Sequence, residues 1–291
     1  MRTSSNPVFK NLPRQEGVGG YANFGSGVAG AGQAGQAGQL GNQQYGEYGQ
    51  QYGQQFQQAP ATRAMTIDDV VTKTGITLAV LTVSAIVSFA LSSANPSLAP
   101  LFVIGGGIIG LVLVLIATFG RKMDNPAIVL AYAAFEGLFL GALSLMFTDV
   151  TFGGVGGSAL IGQAVLGTFG VFFGMLVVYK TGAIRVTPRF TRMLIGAMVG
   201  VLVLMVGNLI ASFFTDGGFG LRDGGPLAIV FSLVCIAIAA FSFLLDFDAA
   251  DQLIRAQAPE KAAWGVALGL TITLVWLYIE ILRLLSYFQR D

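Results

Sequence analysis

Carboxylates inside long apolar runs are the residues of this sequence that could do chemistry. Glu136 lies in the middle of one run, and Glu280 lies in another, where Arg283 follows three residues later on the same helical face. A charged side chain at the centre of a bilayer costs about 2.5–3.5 kcal/mol on insertion scales, so such residues mark ion or proton paths. We therefore take these side chains as the first candidates for function.

A second group of carboxylates comes at the end of the sixth apolar run, where Asp246, Asp248 and Asp251 follow one another closely. Carboxylate oxygens suit hard cations such as Ca²⁺. Zinc and copper favour ligands that are scarce here, since the chain has one cysteine, Cys235, and no histidine. The composition therefore predicts chemistry with Ca²⁺ or protons, in which protonation of a carboxyl could open or close a path, and no bound cofactor.

Each of these residues also has a purely structural interpretation. Glu280 and Arg283 could simply neutralise each other, and the aspartates could mark a helix end in water. Glu136 could be a protonated acid bonded to another helix. Asn208, in the fifth run, is of a type that more often links two helices by a hydrogen bond than binds a ligand.

Seven apolar runs, each of about the 20 residues that cross a hydrocarbon core, must position these side chains. The 291-residue chain is 54% hydrophobic and 11% charged, against roughly 25% charged residues in soluble domains. Its mean hydropathy is +0.71. We predict an all-α integral membrane protein, a seven-transmembrane-helix bundle, with the runs Val70–Leu91, Leu98–Phe119, Ala127–Phe147, Ser158–Tyr179, Met193–Phe214, Pro226–Leu245 and Trp264–Tyr287.

Glycines spaced four residues apart predict where these helices touch, because such pairs let helix backbones approach closely in lipid. Five pairs occur in the runs: Gly106/Gly110, Gly137/Gly141, Gly170/Gly174, Gly196/Gly200 and Gly265/Gly269.

The first 64 residues differ from the rest. They are rich in glycine, glutamine and tyrosine and poor in aliphatic residues, so we predict a disordered tail at 1–64 and a membrane domain at 65–291. Thr66 and Asp69 resemble a capping box that opens the first helix. Thirteen of the sixteen lysines and arginines fall on the N-terminal side of the predicted topology. The positive-inside rule then predicts a cytoplasmic N-terminus and an outward C-terminus.

Several functions are disfavoured by what the sequence lacks. It contains no nucleophile–base constellation, no metalloprotease motif and no phosphate-binding loop, so we predict that the protein is not an enzyme. Its formal net charge of +1 predicts no nucleic-acid partner. The predicted partners are the lipid bilayer and, in one interpretation, another membrane protein, in an oligomeric state that the sequence leaves open.

The order and spacing of several short segments resemble the Bax inhibitor-1/YccA family, and within it the actinobacterial branch with a long low-complexity tail. The resemblance covers roughly residues 65–288 and implies that the membrane is a bacterial plasma membrane. It depends on the segments Ser5-Asn-Pro-Val-Phe, Met65-Thr-Ile-Asp-Asp-Val-Val, Ala134-Phe-Glu-Gly, Leu245-Asp-Phe-Asp and Leu277-Tyr-Ile-Glu-Ile-Leu.

The resemblance implies a seven-helix bundle with a central last helix and a pH-sensitive Ca²⁺ leak. In that leak a sixth-helix carboxylate, here Asp246 or Asp248, pairs with a seventh-helix carboxylate, here Glu280. The same three residues are the implied Ca²⁺ ligands. Arg121 is the candidate for a second-helix arginine that helps set the closed state. The resemblance also implies a rival role, since family members are linked to restraint of cell death and modulation of a membrane protease.

The sequence departs from this pattern at the seventh-helix acid, which is glutamate and lies about two turns further along than the pattern expects. Glu280 is sixteen residues past Trp264, about 24 Å up the helix. The spacing therefore predicts that Asp246 and Glu280 do not pair directly unless a helix is displaced or broken, with Glu136 as an intermediate station. The leading hypothesis is a pH-sensitive cation leak or transporter, and the rival is a regulator that uses the bundle as a platform and the tail as a binding arm.

Overall fold

The computed structural model describes residues 63–148, 157–215 and 218–288, which form seven helices. Residues 1–62 of the predicted disordered tail lie outside the described residues. The prediction is wrong for Arg63 and Ala64, because the Glu260 amide donates to the Arg63 carbonyl at 2.9 Å and Ala64 forms a backbone bridge with Pro259. All seven helices are long and apolar enough to cross a membrane, which confirms the predicted fold class. They are α1 (Ile67–Ala94), α2 (Leu98–Phe119), α3 (Pro126–Thr148), α4 (Gly157–Thr181), α5 (Pro188–Ser212), α6 (Pro226–Arg255) and α7 (Ala262–Phe288).

The ends of the helices follow from local chemistry. The Asp69 amide donates to the Thr66 hydroxyl at 3.4 Å and the Thr66 amide donates to the Asp69 carboxylate at 2.9 Å, which confirms the predicted capping box. The sixth helix continues ten residues beyond the predicted Leu245, because the acidic stretch that follows keeps helical hydrogen bonding as far as Arg255. Asp246, Asp248 and Asp251 are therefore helical residues.

The last helix, α7, is the centre of the bundle. It contacts α1, α3, α4 and α6 and is the most buried of the seven spans. Leu268, Leu277 and Leu282 of this helix have no exposed surface. Side chains on α7 can therefore meet residues of several helices, as the family resemblance implies.

Glycines on α2 and α3 hold three helices close together. A Cβ added to Gly106 would lie 2.8 Å from the Phe135 carbonyl oxygen of α3, and Cβ atoms on Gly137 and Gly141 would meet carbonyl oxygens of α1. Ser88 of α1 donates a hydrogen bond of 2.6 Å to the Leu138 carbonyl across the same contact. The first two predicted glycine pairs thus mark close helix contacts.

The other glycine pairs behave differently. Gly265 and Gly269 of α7 have ordinary contacts, to Met123 and to Asp246. The prediction is wrong for Gly170/Gly174 and Gly196/Gly200, because a Cβ on any of these four would meet nothing within 4 Å in the described part of the chain. Their faces of α4 and α5 point away from the bundle.

Ion pairs tie the start of α1 to the turns at the same end of the bundle. Lys73 of α1 donates to the Glu260 carboxylate at 3.1 Å, and Lys261 lies 2.7 Å from Asp124 in the turn between α2 and α3. The hydrogen bond from Lys261 holds the pKa of Asp124 below its ordinary value. These contacts fix the register of α1, α3 and α7, and hence the levels of the carboxylates within the bundle.

Candidate functional site

Glu136 lies where α2 crosses α3. It is the eleventh residue of the 23-residue helix α3, close to its middle. Its carboxylate occupies the space that Gly110 leaves open, since a Cβ on Gly110 would lie 2.6 Å from Glu136 Oε2. The side chain is half-buried, and no described lysine or arginine forms an ion pair with it. A carboxylate near the middle of the bundle thus has no compensating charge among the described residues.

Asp246 of α6 faces the central helix. The Thr273 hydroxyl of α7 donates a hydrogen bond of 2.7 Å to Asp246 Oδ2, and Gly269, one turn earlier, leaves room beside Oδ1. Thr273 is 8% exposed. Its hydroxyl also lies 3.2 Å from the Gly269 carbonyl oxygen, so the one hydroxyl hydrogen is shared between the two acceptors. The described residues give Asp246 no basic partner either. The described residues donate no hydrogen bond to its second oxygen, Oδ1.

Asp248 and Asp251 point to another side of α6. The Tyr179 hydroxyl of α4 lies 3.5 Å from a carboxylate oxygen of each. Arg255 forms an ion pair of 2.8 Å with Asp251, and Gln252 donates to Asp248 at 2.6 Å. Residues two apart on a helix are separated by about 200°, so the three aspartates do not form one cluster.

Among the described residues, Glu280 is the most buried carboxylate, at 1% exposure, and it faces two arginines. Arg283 donates to Glu280 Oε1 at 2.7 Å, and Arg222, from the connection between α5 and α6, lies 3.9 Å from the same oxygen. Glu280 Oε2 has no hydrogen-bond partner in the described residues. Burial, and secondly the charge of Arg283, lower the pKa of Arg222. The structure thus forms the Glu280–Arg283 pair and adds a second arginine to it.

Two other polar residues of interest, Arg121 and Asn208, lie in or beside connections between helices. Arg121 is exposed in the turn after α2, with a φ of 52°, and contacts none of the candidate carboxylates in the described residues. The interpretation of Asn208 as a link between helices is wrong. Its side-chain oxygen accepts the Phe219 amide hydrogen at 2.9 Å, because the connection after α5 folds back onto that helix.

Nearly the whole sequence matches a known family. A sequence model described as Bax inhibitor 1 like matches residues 6–290. The chain belongs to the Bax inhibitor 1 like family. An uncharacterized membrane protein of Streptococcus pyogenes serotype M3 is 27% identical over 196 residues, which are 64% of this chain and 74% of that protein. An uncharacterized protein of Chlamydia muridarum is 27% identical over 133 residues, 44% of this chain and 49% of its own. The protein is therefore a multi-pass membrane protein that sits in the lipid bilayer.

The Bax inhibitor 1 like resemblance implied a carboxylate pair between the sixth and seventh helices, and the structure has a different pair. Asp246 is hydrogen-bonded to Thr273, which stands seven residues before Glu280, the displacement that the sequence spacing indicated. Glu280 is therefore about 10 Å further along α7. Asp246, Asp248 and Glu280 do not converge, and no group of three acidic, histidine or cysteine side chains in the described residues could hold a metal ion.

Sequence reasoning missed Thr273, Tyr179 and Arg222, which lie on elements other than those of the carboxylates they contact. Two of them carried a signal. Thr273 occupies the position, two turns before Glu280, where the family pattern expects the acid. The positive-inside rule places the first, third and fifth connections outside the cell, and Arg222 is the only basic residue that the sequence has in them.

A cavity of about 490 Å³ between α1, α3, α4 and α7 is separate from these groups. Its lining is apolar apart from a few hydroxyls, of which Ser144 and Tyr278 are hydrogen-bonded to each other at 2.8 Å. None of the candidate carboxylates lines it. The cavity offers no charged ligand to an ion, so we assign the candidate path to the carboxylates alone.

Proposed function

We propose that this Bax inhibitor 1 like protein is a pH-sensitive cation leak or transporter for Ca²⁺ or H⁺. The observation that carries the proposal is that Glu136 and Asp246 lie in membrane-spanning helices without a basic partner among the described residues. Each would cost about 2.5–3.5 kcal/mol at the bilayer centre. Oxygen ligands of this kind bind hard cations and protons.

The levels of the carboxylates suggest an order along the path. Asp248 and Asp251 lie at the end of α6 beside Tyr179, and would attract a cation from that side. Asp246 follows, where the free carboxylate oxygen and the Thr273 hydroxyl oxygen supply two ligands. Glu136 lies near the middle of α3, and Glu280 lies about two turns further along α7 than Thr273.

Protonation provides the pH sensitivity of the proposal. A carboxylate that gains a proton loses the charge that attracts a cation, and it becomes a hydrogen-bond donor as well as an acceptor. Glu136 and Asp246 have no basic partner among the described residues. Protonation of either carboxylate would therefore remove a negative charge that no neighbouring positive charge balances. Cation flux is therefore expected to vary with pH, and this variation should depend on both residues.

The test is flux through purified protein in liposomes, measured for Ca²⁺ and for H⁺ from about pH 5 to about pH 8. Glu136→Gln and Asp246→Asn should each reduce flux about tenfold or more, because a contact between a cation and a carboxylate is worth several kcal/mol near a protein surface. Asp68→Asn, at an exposed position in the first turn of α1, is the matched control. Unchanged flux in both test variants would refute the path.

The rival function is a regulator of another membrane protein that transports nothing. Removal of residues 1–62 separates the two hypotheses, because a leak should keep its flux in liposomes whereas a regulator should lose its effect in cells. The absence of enzymatic activity stays a prediction of the sequence.

We also propose that the N-terminus lies in the cytoplasm. The start of α1 and the α2–α3, α4–α5 and α6–α7 connections share one end of an alternating bundle, and this end carries most of the basic residues. The Asp248–Asp251 end of the path would then face the cytoplasm, and Glu280 would lie towards the other side.

A further inference from the structure

The connection between α5 and α6 folds into the end of the bundle. The Phe219 amide donates to the Asn208 side chain, one turn before the end of α5. Leu221 is only 9% exposed and packs in a cluster with Val201 of α5 and with Phe231 and Cys235 of α6. A connection that only joined two helix ends would not need a buried leucine nine residues after the end of α5 and five before the start of α6. Residues 218–225 therefore form a packed element.

Arg222 reaches further into the bundle than its position in the connection suggests. Glu280 lies eight residues before the end of α7, about 12 Å below the helix end, and Cys235 lies at a similar depth in α6. Arg222 Nη2 is nevertheless 3.9 Å from Glu280 Oε1. Its side chain is 38% exposed, so it spans from the surface to a carboxylate that is nearly fully buried.

The backbone of the connection is shaped to make this insertion. Gly218, Gly220 and Gly224 have φ values of 70°, 74° and 91°, which only glycine adopts readily. The Asp223 carboxylate accepts the Gly225 amide hydrogen at 2.9 Å and so faces the connection itself. Asp223 therefore does not neutralise the arginines.

The resulting group of charges opposes the passage of cations. Arg222 and Arg283 both face Glu280, so two positive charges meet one negative charge. The α6 side of the group contributes the uncharged Cys235 thiol, and α7 adds the Tyr287 hydroxyl. A cation that approached from this end would meet a net positive charge and a packed leucine before it reached the buried carboxylate.

We propose that residues 218–225 are a plug that closes the Glu280 end of the bundle to cations, with Arg222 as the residue that locks it. That cations are what the plug excludes depends on the function proposed above, whereas the closure of this end does not. Displacement of the plug would remove Arg222 from Glu280, expose Cys235 and leave Glu280 with Arg283 alone.

Cys235 provides a direct readout of the closure. It is the only cysteine of the sequence, has no exposed surface, and packs with Leu221 of the plug. The full-length protein in liposomes would be treated with a membrane-impermeant maleimide. Arg222→Gln, which removes the lock, and Asn208→Ala, which removes the Phe219 anchor, should each raise the labelling rate of Cys235 about tenfold or more, a change in opening of about 1.4 kcal/mol.

Two further variants make the result specific. Arg222→Lys keeps the positive charge and should label almost as slowly as the original protein. Arg185→Gln, at an exposed arginine between α4 and α5, should leave the rate unchanged. Equal labelling of Arg222→Gln and the original protein would overturn the proposal. So would faster labelling that is matched by a general loss of thermal stability, since unfolding would then explain the access.

Cation flux in the same liposomes separates the plug from the function. If the protein passes cations, Arg222→Gln should pass them several times faster. Flux that exists but is unaffected by this variant would overturn the plug. If no variant passes cations while Cys235 labels faster in Arg222→Gln, the proposed function fails and the plug stands.

Discussion

Alanine at the glycines of α2 should separate helix packing from the role of the Glu136 carboxylate. In Gly106→Ala, the new Cβ would lie 2.8 Å from the Phe135 carbonyl oxygen and 2.9 Å from the Phe139 amide nitrogen. Both atoms belong to the α3 backbone, so α2 must move away from α3. Overpacking of this kind costs about 1–3 kcal/mol. The unfolding temperature should fall by about 2–4 °C for each kcal/mol.

Gly110→Ala meets a different obstacle, one turn further along α2. Its Cβ would lie 2.6 Å from Glu136 Oε2, and the next nearest side-chain atom of another residue, Tyr132 Cε2, is 3.9 Å away. A carboxylate at the end of a flexible side chain can turn aside, and alanine is favoured over glycine in a helix by about 1 kcal/mol. Stability should therefore hardly change, whereas cation flux should fall because the carboxylate is displaced.

The control is Gly174→Ala on α4, where the new Cβ meets nothing within 4 Å in the described residues. It should keep its flux and match or slightly exceed the original stability. Thermal unfolding in detergent can be followed by the fluorescence of Trp264 and Trp276, and flux by Ca²⁺ entry into liposomes. If Gly106→Ala is as stable as the control, α2 and α3 do not pack as closely as the structure shows. If Gly110→Ala keeps full flux, the carboxylate of Glu136 is not part of the path.

Three further predictions follow from the ends and the centre of the bundle. Thr273→Val removes the hydroxyl bound to Asp246 and should cost about 1–3 kcal/mol in thermal unfolding, whereas Thr273→Ser should not; equal losses would refute the role of the hydroxyl. Lys261 lowers the pKa of Asp124 below its ordinary 3.8, so this pair stabilises the fold above that value and its contribution is lost as the pH falls through the lower, folded pKa. Asp124→Asn should therefore lower stability by less than about 1 kcal/mol at neutral pH and not at all below the folded pKa, as measured by unfolding at several pH values; a cost that persisted in acid would contradict this. A protease site added at the N-terminus should be protected in intact bacterial cells and one at the C-terminus should be cut, and the reverse would refute the assigned orientation.

The number of helices could be predicted from the sequence. The free energy that keeps a long apolar segment out of water depends on the composition of that segment alone, so each helix can be recognised independently of the others. Lateral contacts could not be predicted in the same way. Gly106 and Gly174 each belong to a pair of glycines four residues apart, yet one lies against a backbone carbonyl and the other has no neighbour within 4 Å in the described residues. Lipid and the interior of a membrane bundle are both apolar, so hydropathy does not distinguish the face that meets protein from the face that meets lipid.

In the candidate site, contacts between residues close in sequence could be predicted, whereas contacts between distant residues could not. The Glu280–Arg283 pair follows from a spacing of three residues on one helix, and the separation of Asp246 from Asp248 follows from helical periodicity. The Thr273 and Arg222 contacts join residues that are 27 and 58 positions from Asp246 and Glu280 respectively. No local pattern fixes such contacts, because they depend on how α6, α7 and the connection pack together.

The charges of the described residues make the two ends of the proposed path unequal. Asp246 and Glu136 are carboxyl groups without a basic partner among the described residues, so in their ionised form they would attract a cation that enters from the Asp248 end. Glu280 would not attract a cation, because Arg283 already neutralises its carboxylate and Arg222 adds a positive charge. In this conformation, the proposed path would therefore bind cations but not release them at the far side. According to the plug proposal, displacement of residues 218–225 would open this end.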